Sequence, residues 1–148
     1  MKVAVGCDPN AHAMKREILD ELASLGIEAV DFGSDDPIYA NVVVDVCQAV
    51  ASGQFDRGIV LCGTGIGVSI VANKVPGVYC ALVTDTYQAE RAVLSNDANV
   101  IALGAQVTGP VIARQIVRTY MQQTYIPGGR SEPKILRVKE FEKKPTAQ

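Results

Sequence analysis

Residues 61–70 read LCGTGIGVSI. Cys62 closes an apolar run, RGIVL, and opens onto Gly63, Gly65 and Gly67, after which VSIVANK looks helical. Glycines reach positive φ and let a backbone approach a ligand closely. A helix start adds N–H groups without intrahelical acceptors and the positive end of the dipole. The turn from Gly63 through Ile66 to Gly67 therefore has the makings of a cradle for an oxyanion or a phosphate. Thiols at helix N-termini ionise more readily than free ones, which suits Cys62 to act as a general base or nucleophile. The plain alternative is a small buried residue ending a strand. No G-K-[ST] follows, so this is not a phosphate-binding loop of the nucleotide-hydrolase kind. The spacing also differs from G-x-G-x-x-G, and the turn follows the third strand-like run, not the first.

Other residues that could do chemistry are few. His12 is the only histidine, so a multi-histidine metal site within one chain is excluded. The four cysteines, Cys7, Cys47, Cys62 and Cys80, show no C-x-x-C spacing. Three of them sit in or beside apolar runs, which favours free thiols in a reducing, cytoplasmic compartment over disulfides or zinc. Cys7, Cys47 and Cys80 read as core. The Asp35–Asp36 pair in SDDPIY reads as a turn or helix cap, a role one carboxylate can combine with ligand contact. No metal or cofactor is called for.

The elements around these residues alternate. Strand-like runs cover residues 2–6, 27–33, 57–62, 78–83 and 98–104. Helical patterns cover 12–25, 39–53, 66–74, 84–96 and 109–124. Gly26 serves as a C-cap, Thr84 as an N-cap, and Pro110 lies in a first turn. In the second helix Ala40, Val43, Val44, Cys47 and Val50 share one face. A short helix is expected over 133–142, then a frayed end. Strands apolar throughout and separated by helices imply a parallel sheet covered on both faces. The expected fold is a Rossmann-like three-layer α/β sandwich with a five-stranded parallel sheet. Ligands in such sheets bind at the carboxyl ends of the strands. That rule points to the loops GCDPNAH, DFGSDDPIY, CGTGIG, and SNDANV to LGAQ.

The chain has 148 residues, 48% of them hydrophobic, and a net charge of −2. These values suit one domain, 1–148, with a substantial core. They give no footprint for nucleic acid or an anionic membrane. No apolar run is long enough to span a bilayer, and MKVAVGCDPN reads as a strand and turn, not a signal peptide.

GCD after the first strand, CGTGIGVSIVANKVPGV and NDANVIALGA, in this order and spacing, resemble the ribose-5-phosphate isomerase B and galactose-6-phosphate isomerase family. The resemblance runs from Met1 to about Arg137. It implies a metal-free, cofactor-free aldose–ketose isomerase of sugar phosphates that works through a cis-enediolate. It also implies a homodimer or tetramer whose active sites lie across the interface, with the tail 125–148 reaching a partner subunit. Position by position, Cys62 matches the base that moves a proton between C1 and C2. The N–H groups from Gly63 to Gly67 match the anion hole. Thr64 matches a hydroxyl that assists proton movement, and Asn96 a residue that binds sugar oxygens. Asp8 and Asp35 match carboxylates near the sugar hydroxyls, and Arg130 a phosphate-binding arginine.

Four positions depart from that pattern. Pro9 stands where a histidine is usual after GCD. Ser95 stands directly before ND, where the pentose-phosphate isomerases carry their ring-opening histidine. Gln106 and Lys134 replace arginines. The proton-transfer groups are kept, the ring-opening acid is lost, and the phosphate site is altered. His12 either replaces a missing imidazole or is a solvated first-turn residue. The readings that follow are the family's default of ribose 5-phosphate, an acyclic tetrose 4-phosphate, galactose 6-phosphate or another hexose phosphate, and a partner-dependent subunit.

Overall fold

The computed structural model describes residues 1–33 and 35–143. Five strands form one sheet: β1 (Lys2–Cys7), β2 (Glu28–Asp31), β3 (Arg57–Cys62), β4 (Cys80–Leu82) and β5 (Val100–Gly104). Their order is β2-β1-β3-β5-β4, and every pairing is parallel. Six helices accompany them: α1 (His12–Ser24), α2 (Tyr39–Ala51), α3 (Ile66–Ala72), α4 (Thr86–Leu94), α5 (Pro110–Gln122) and α6 (Glu132–Lys143). The expected α/β sandwich is the observed fold. A 3-10 turn over Pro9–Ala11, capped by the Asp8 carboxylate, joins β1 to α1 and was not anticipated. The frayed end expected after residue 142 lies mostly outside the described residues.

The apolar runs divide into two cores, one on each face of the sheet. Val3, Val5, Ile59, Leu61, Ile101 and Leu103 face α1, α4 and α5. Ala4, Val60, Val100 and Ala102 face α2 and α3. This is the period-2 alternation of a strand buried on both sides. On α2 the buried residues are Val42, Val43, Val46, Cys47, Ala49 and Val50, while Ala40 and Val44 are half-buried. The stripe is rotated from the expected one because α2 presses on the glycines of β1 and β3. A methyl added at Gly6 would lie 2.8 Å from Val42 and 2.9 Å from Val46.

The element ends follow capping chemistry. After α1, Gly26 at φ 71° donates to the Ala23 carbonyl and Ile27 to that of Leu22, the paired bonds of a Schellman stop. At α4 the N-cap is Asp85, not Thr84. The Asp85 carboxylate accepts from the Gln88 N–H at 2.7 Å, while the Thr84 N–H and hydroxyl turn to the Gln88 side chain. Cys7 and Cys47 are buried and Cys80 half-buried, and none of them forms a disulfide among the described residues. Burial pushes the Cys47 and Cys80 thiols up to about 12, in keeping with core roles.

Candidate active site

β1 lies between β2 and β3, so the chain leaves β1 toward one edge of the sheet and leaves β3 toward the other. Their carboxyl ends therefore border a crevice, the usual ligand position in open α/β sheets. Cys62 ends β3 there, 6% exposed. The turn after it is held closely. Gly65 sits at φ 80°, and its N–H points back at the Cys62 sulfur, 3.1 Å away. A Cβ at Gly65 would lie 2.5 Å from Leu82 and 3.0 Å from the Leu103 backbone. From the other side, a Cβ at Gly104 would lie 2.5 Å from the Thr64 carbonyl carbon. The glycines of β5 and of the turn thus allow two backbones to stack beside the buried Cys62 thiol.

This geometry divides the expected anion hole. The Gly65 N–H serves the sulfur, and the Ile66 N–H serves the Thr64 hydroxyl oxygen at 3.2 Å. The N–H groups of Gly63, Thr64 and Gly67 have no side-chain acceptor among the described residues. The Thr64 hydroxyl can still donate its own proton while its oxygen accepts from the Ile66 N–H.

Asp8 follows β1 directly, and its N–H donates to the Leu61 carbonyl at 2.9 Å, which sets it beside Cys62. Its side chain is 9% exposed and caps the 3-10 turn through Asn10. The Gln106 side chain packs against Gly63, 3.1 Å from where a Cβ would stand, and the Gln106 backbone N–H donates to the Gly63 carbonyl at 2.9 Å. Tyr39, the first residue of α2, brings its hydroxyl against Gly67 at the first turn of α3. Sequence reading missed Tyr39, because no local pattern ties it to a turn some thirty residues on. His12 is exposed at the start of α1, close enough for its charge to act on Asp31.

Asp35 is exposed on a shallow cavity with Asp36, Asn41 and Asp45. Asp36 makes the turn before α2, accepting from the Ile38 N–H at 2.8 Å and the Asn41 amide at 2.7 Å, while the α2 N-cap itself is Ile38, without a side-chain cap bond. The two bonds to Asp36 hold its carboxyl below the usual carboxylate range.

The remaining expected residues lie elsewhere. The stretch SNDANV connects α4 to β5 and so sits at the amino ends of the strands, not among the carboxyl-end loops where sequence reading put it. Five residues of β5 at ~3.3 Å each separate the two ends by about 16 Å. Ser95, Asn96 and Lys134 line a cavity of about 360 Å³ under α6 with Cys80, Ile135 and Val138. Ser95 and Arg130 line a second cavity beside it, of about 190 Å³. The Asn96 amide donates to the Arg91 carbonyl at the end of α4. One chain therefore carries two groups of candidate residues at opposite ends: Asp8, Tyr39, Cys62–Gly67 and Gln106 at one, Ser95, Asn96, Arg130 and Lys134 at the other.

Residues 3–138 match the family model described as Ribose/Galactose Isomerase. The chain belongs to this family. It is 42% identical to a D-erythrulose-4-phosphate isomerase of Pectobacterium atrosepticum, over 96% of this chain and 95% of that one. It is 39% identical to a ribose-5-P isomerase B of Listeria innocua, over 97% and 99%. The solved structure of Clostridium thermocellum ribose-5-phosphate isomerase B superimposes with a TM-score of 0.91 at 42% identity, covering 97% and 98%. Membership makes this chain a sugar-phosphate isomerase.

Proposed function

We propose that the chain interconverts the aldose and ketose forms of an open-chain tetrose 4-phosphate, in an active site built from two copies of the chain. Cys62, as thiolate, takes the proton from C2 of the aldose. The electron pair moves into the C1–C2 bond and onto the carbonyl oxygen, giving a cis-enediol(ate). The Gly63, Thr64 and Gly67 N–H groups meet the charge on that oxygen, where fixed donors count most. The Thr64 O–H carries a proton between O1 and O2. Cys62 returns its proton to C1, and the ketose forms with no net change in oxidation state. Asp8 and Tyr39 are placed to hold the sugar hydroxyls.

The observation that carries the substrate reading is Ser95. A hydroxyl is too weak an acid to open a sugar ring at neutral pH, whereas imidazole titrates near ~6.5. A tetrose phosphorylated on O4 has no hydroxyl left to close a five-membered ring, so it needs the enediolate groups and no ring-opening acid. The similarity to a D-erythrulose-4-phosphate isomerase supports this reading. The second reading is ribose 5-phosphate, favoured by His12 at the Cys62 end of the sheet and by the similarity to ribose-5-phosphate isomerases. Comparing kcat/KM for erythrose 4-phosphate and ribose 5-phosphate decides between them. A preference for the tetrose is expected. A preference for ribose 5-phosphate that His12→Ala abolishes would overturn the tetrose reading.

The two-chain site follows from the separation of the two groups. A single tetrose or pentose phosphate cannot reach both ends of one sheet. Ser95, Asn96, Arg130 and Lys134 of one copy therefore complete the Cys62 crevice of another. The exposed apolar side chains of Ile66, Ile70 and Leu82 around the thiol turn suit a face that another copy covers. Cysteines without disulfides among the described residues suit a cytoplasmic setting.

A further inference from the structure

α6 carries Lys134 and follows Arg130, yet little apolar surface holds it. Among its described residues only Ile135 is buried, while Leu136, Val138 and Phe141 are more than half exposed. A helix of 12 residues is marginal on its own in water, so polar contacts must help to fix it. Ile135, Lys139 and Glu142 recur at helical spacing and share one face. Ile135 seats the start of the helix, and the other two bond the body near its end. The Glu142 carboxylate accepts from the Tyr79 hydroxyl at 2.7 Å and from the Gly77 N–H at 2.9 Å. The Lys139 ammonium donates to Asp97 at 3.1 Å and lies 5.6 Å from the centre of the Tyr79 ring. Asp97 is the one non-glycine residue with positive φ among the described residues, at 51°, a conformation that persists where the surroundings enforce it. Asn99 ties these anchors together. Its side chain accepts from the Tyr79 N–H and donates to the Gly77 carbonyl, both at 2.9 Å.

We propose that Glu142 and Lys139 form a clasp that joins α6 to residues 77–79 and 97–99, and that they are positioning residues for the isomerase reaction. α6 supplies Lys134, Ile135 and Val138 to one wall of the cavity of about 360 Å³, and the stretch after α4 supplies Ser95 and Asn96 to another. The clasp sets the separation of these walls, and so holds Arg130 and Lys134 in register with Ser95 and Asn96. The inference rests on the two-copy site above, because it is a neighbour's crevice that this group completes. Glu142 and Lys139 act through the residues they hold and touch no substrate themselves. The Tyr79 hydroxyl, and after it the Gly77 N–H, keep the Glu142 carboxyl below its usual range, so it stays an anionic acceptor at neutral pH.

The test is steady-state kinetics of the full chain on erythrose 4-phosphate and on ribose 5-phosphate. Glu142→Ala removes both acceptor bonds, and Tyr79→Phe removes one while keeping the ring. Glu142→Ala should raise KM about fivefold or more, the scale of a lost net hydrogen bond, and leave kcat within about twofold. Tyr79→Phe should raise KM less, and adding it to Glu142→Ala should cost nothing further, because that bond is already gone. Glu142→Gln keeps an acceptor oxygen and should restore most of the lost affinity. Amide hydrogen exchange should quicken over 132–143 in Glu142→Ala and stay unchanged in β1, β3 and β5. KM within about twofold of the wild type in Glu142→Ala would overturn the proposal, even with faster exchange in α6. So would a fall in kcat that matches or exceeds the rise in KM, the mark of general damage. Should Glu142→Ala fail to fold, the KM of Tyr79→Phe decides in the same way. Mixing Cys62→Ala with Arg130→Ala tests the two-copy reading separately, so restored activity beside an unchanged Glu142→Ala KM would sink the clasp alone.

Discussion

At the scale of the residue, the account rests on one sulfur and the turn that holds it. Cys62 is nearly buried, meets the Gly65 N–H at 3.1 Å, and ends β3 next to the carboxyl end of β1. Cys62→Ala should lower kcat by several orders of magnitude while leaving the melting temperature near that of the wild type. Activity within about tenfold, a barrier change of only ~1.4 kcal/mol, would remove Cys62 from the base role. Gly65 is the second sensitive position. Its φ of 80° costs an L-residue about 1–2 kcal/mol, and a Cβ there would stand 3.0 Å from the Leu103 backbone as well as 2.5 Å from Leu82. Gly65→Ala should therefore destabilise the fold by about 2–4 kcal/mol and remove most activity, measured by thermal unfolding and initial rates. A variant with wild-type stability and rate would contradict the stacking described for this turn. Thr64 and Cys62 were legible in the sequence because a strand end, a glycine turn and a helix start are adjacent in the chain. Tyr39 was not, because the fold brings it to Gly67 from another element.

At the scale of the element, caps and strand direction decide what each loop can do. Thr84 and Asp85 are both competent caps, and a one-residue choice between them is beyond propensity. The carboxylate wins by reaching the Gln88 N–H. The SNDANV stretch was misassigned for a different reason. It follows a helix and precedes a strand, and in a parallel sheet every such connection lies at the amino ends. That rule was available from the strand–helix alternation alone, so the sheet topology was legible further than it was read. The link between α1 and β2 gives a pH test. Lys15 is buried and bonds Asp31 at 2.9 Å. Burial works against the Asp31 charge, but the Lys15 bond, the Gly33 N–H and the charges of Lys15 and His12 outweigh it. The carboxyl is held below its ordinary 3.8. A depressed folded value means that this contribution is present above the unfolded value and is lost as pH falls below it. The melting temperature of the wild type should thus fall more steeply than that of Asp31→Asn as pH drops from about 5 to about 3. Parallel curves for the two proteins would show that the pair adds nothing.

At the scale of the whole molecule, the sheet holds the two groups of site residues about 16 Å apart. The order of the elements and the five-stranded parallel sheet were readable from alternating apolar runs, and the cradle from its glycines. That Ser95, Asn96, Arg130 and Lys134 stand at the far end was not readable from their types. It emerges only once the strands are given a direction and α6 is packed over the start of β4. The central claim is that a working site draws on two chains, and mixing two inactive variants tests it most directly. If Cys62 is the base and Arg130 the phosphate contact, Cys62→Ala and Arg130→Ala should each be nearly inactive alone. In a two-fold dimer, random pairing makes half of the assemblies mixed, and each mixed dimer holds one site with both residues intact. Dissociating and reassociating equal amounts should restore about a quarter of wild-type activity. Activity no higher than that of the separate variants, or a wild-type monomer with full activity by light scattering, would contradict the shared site.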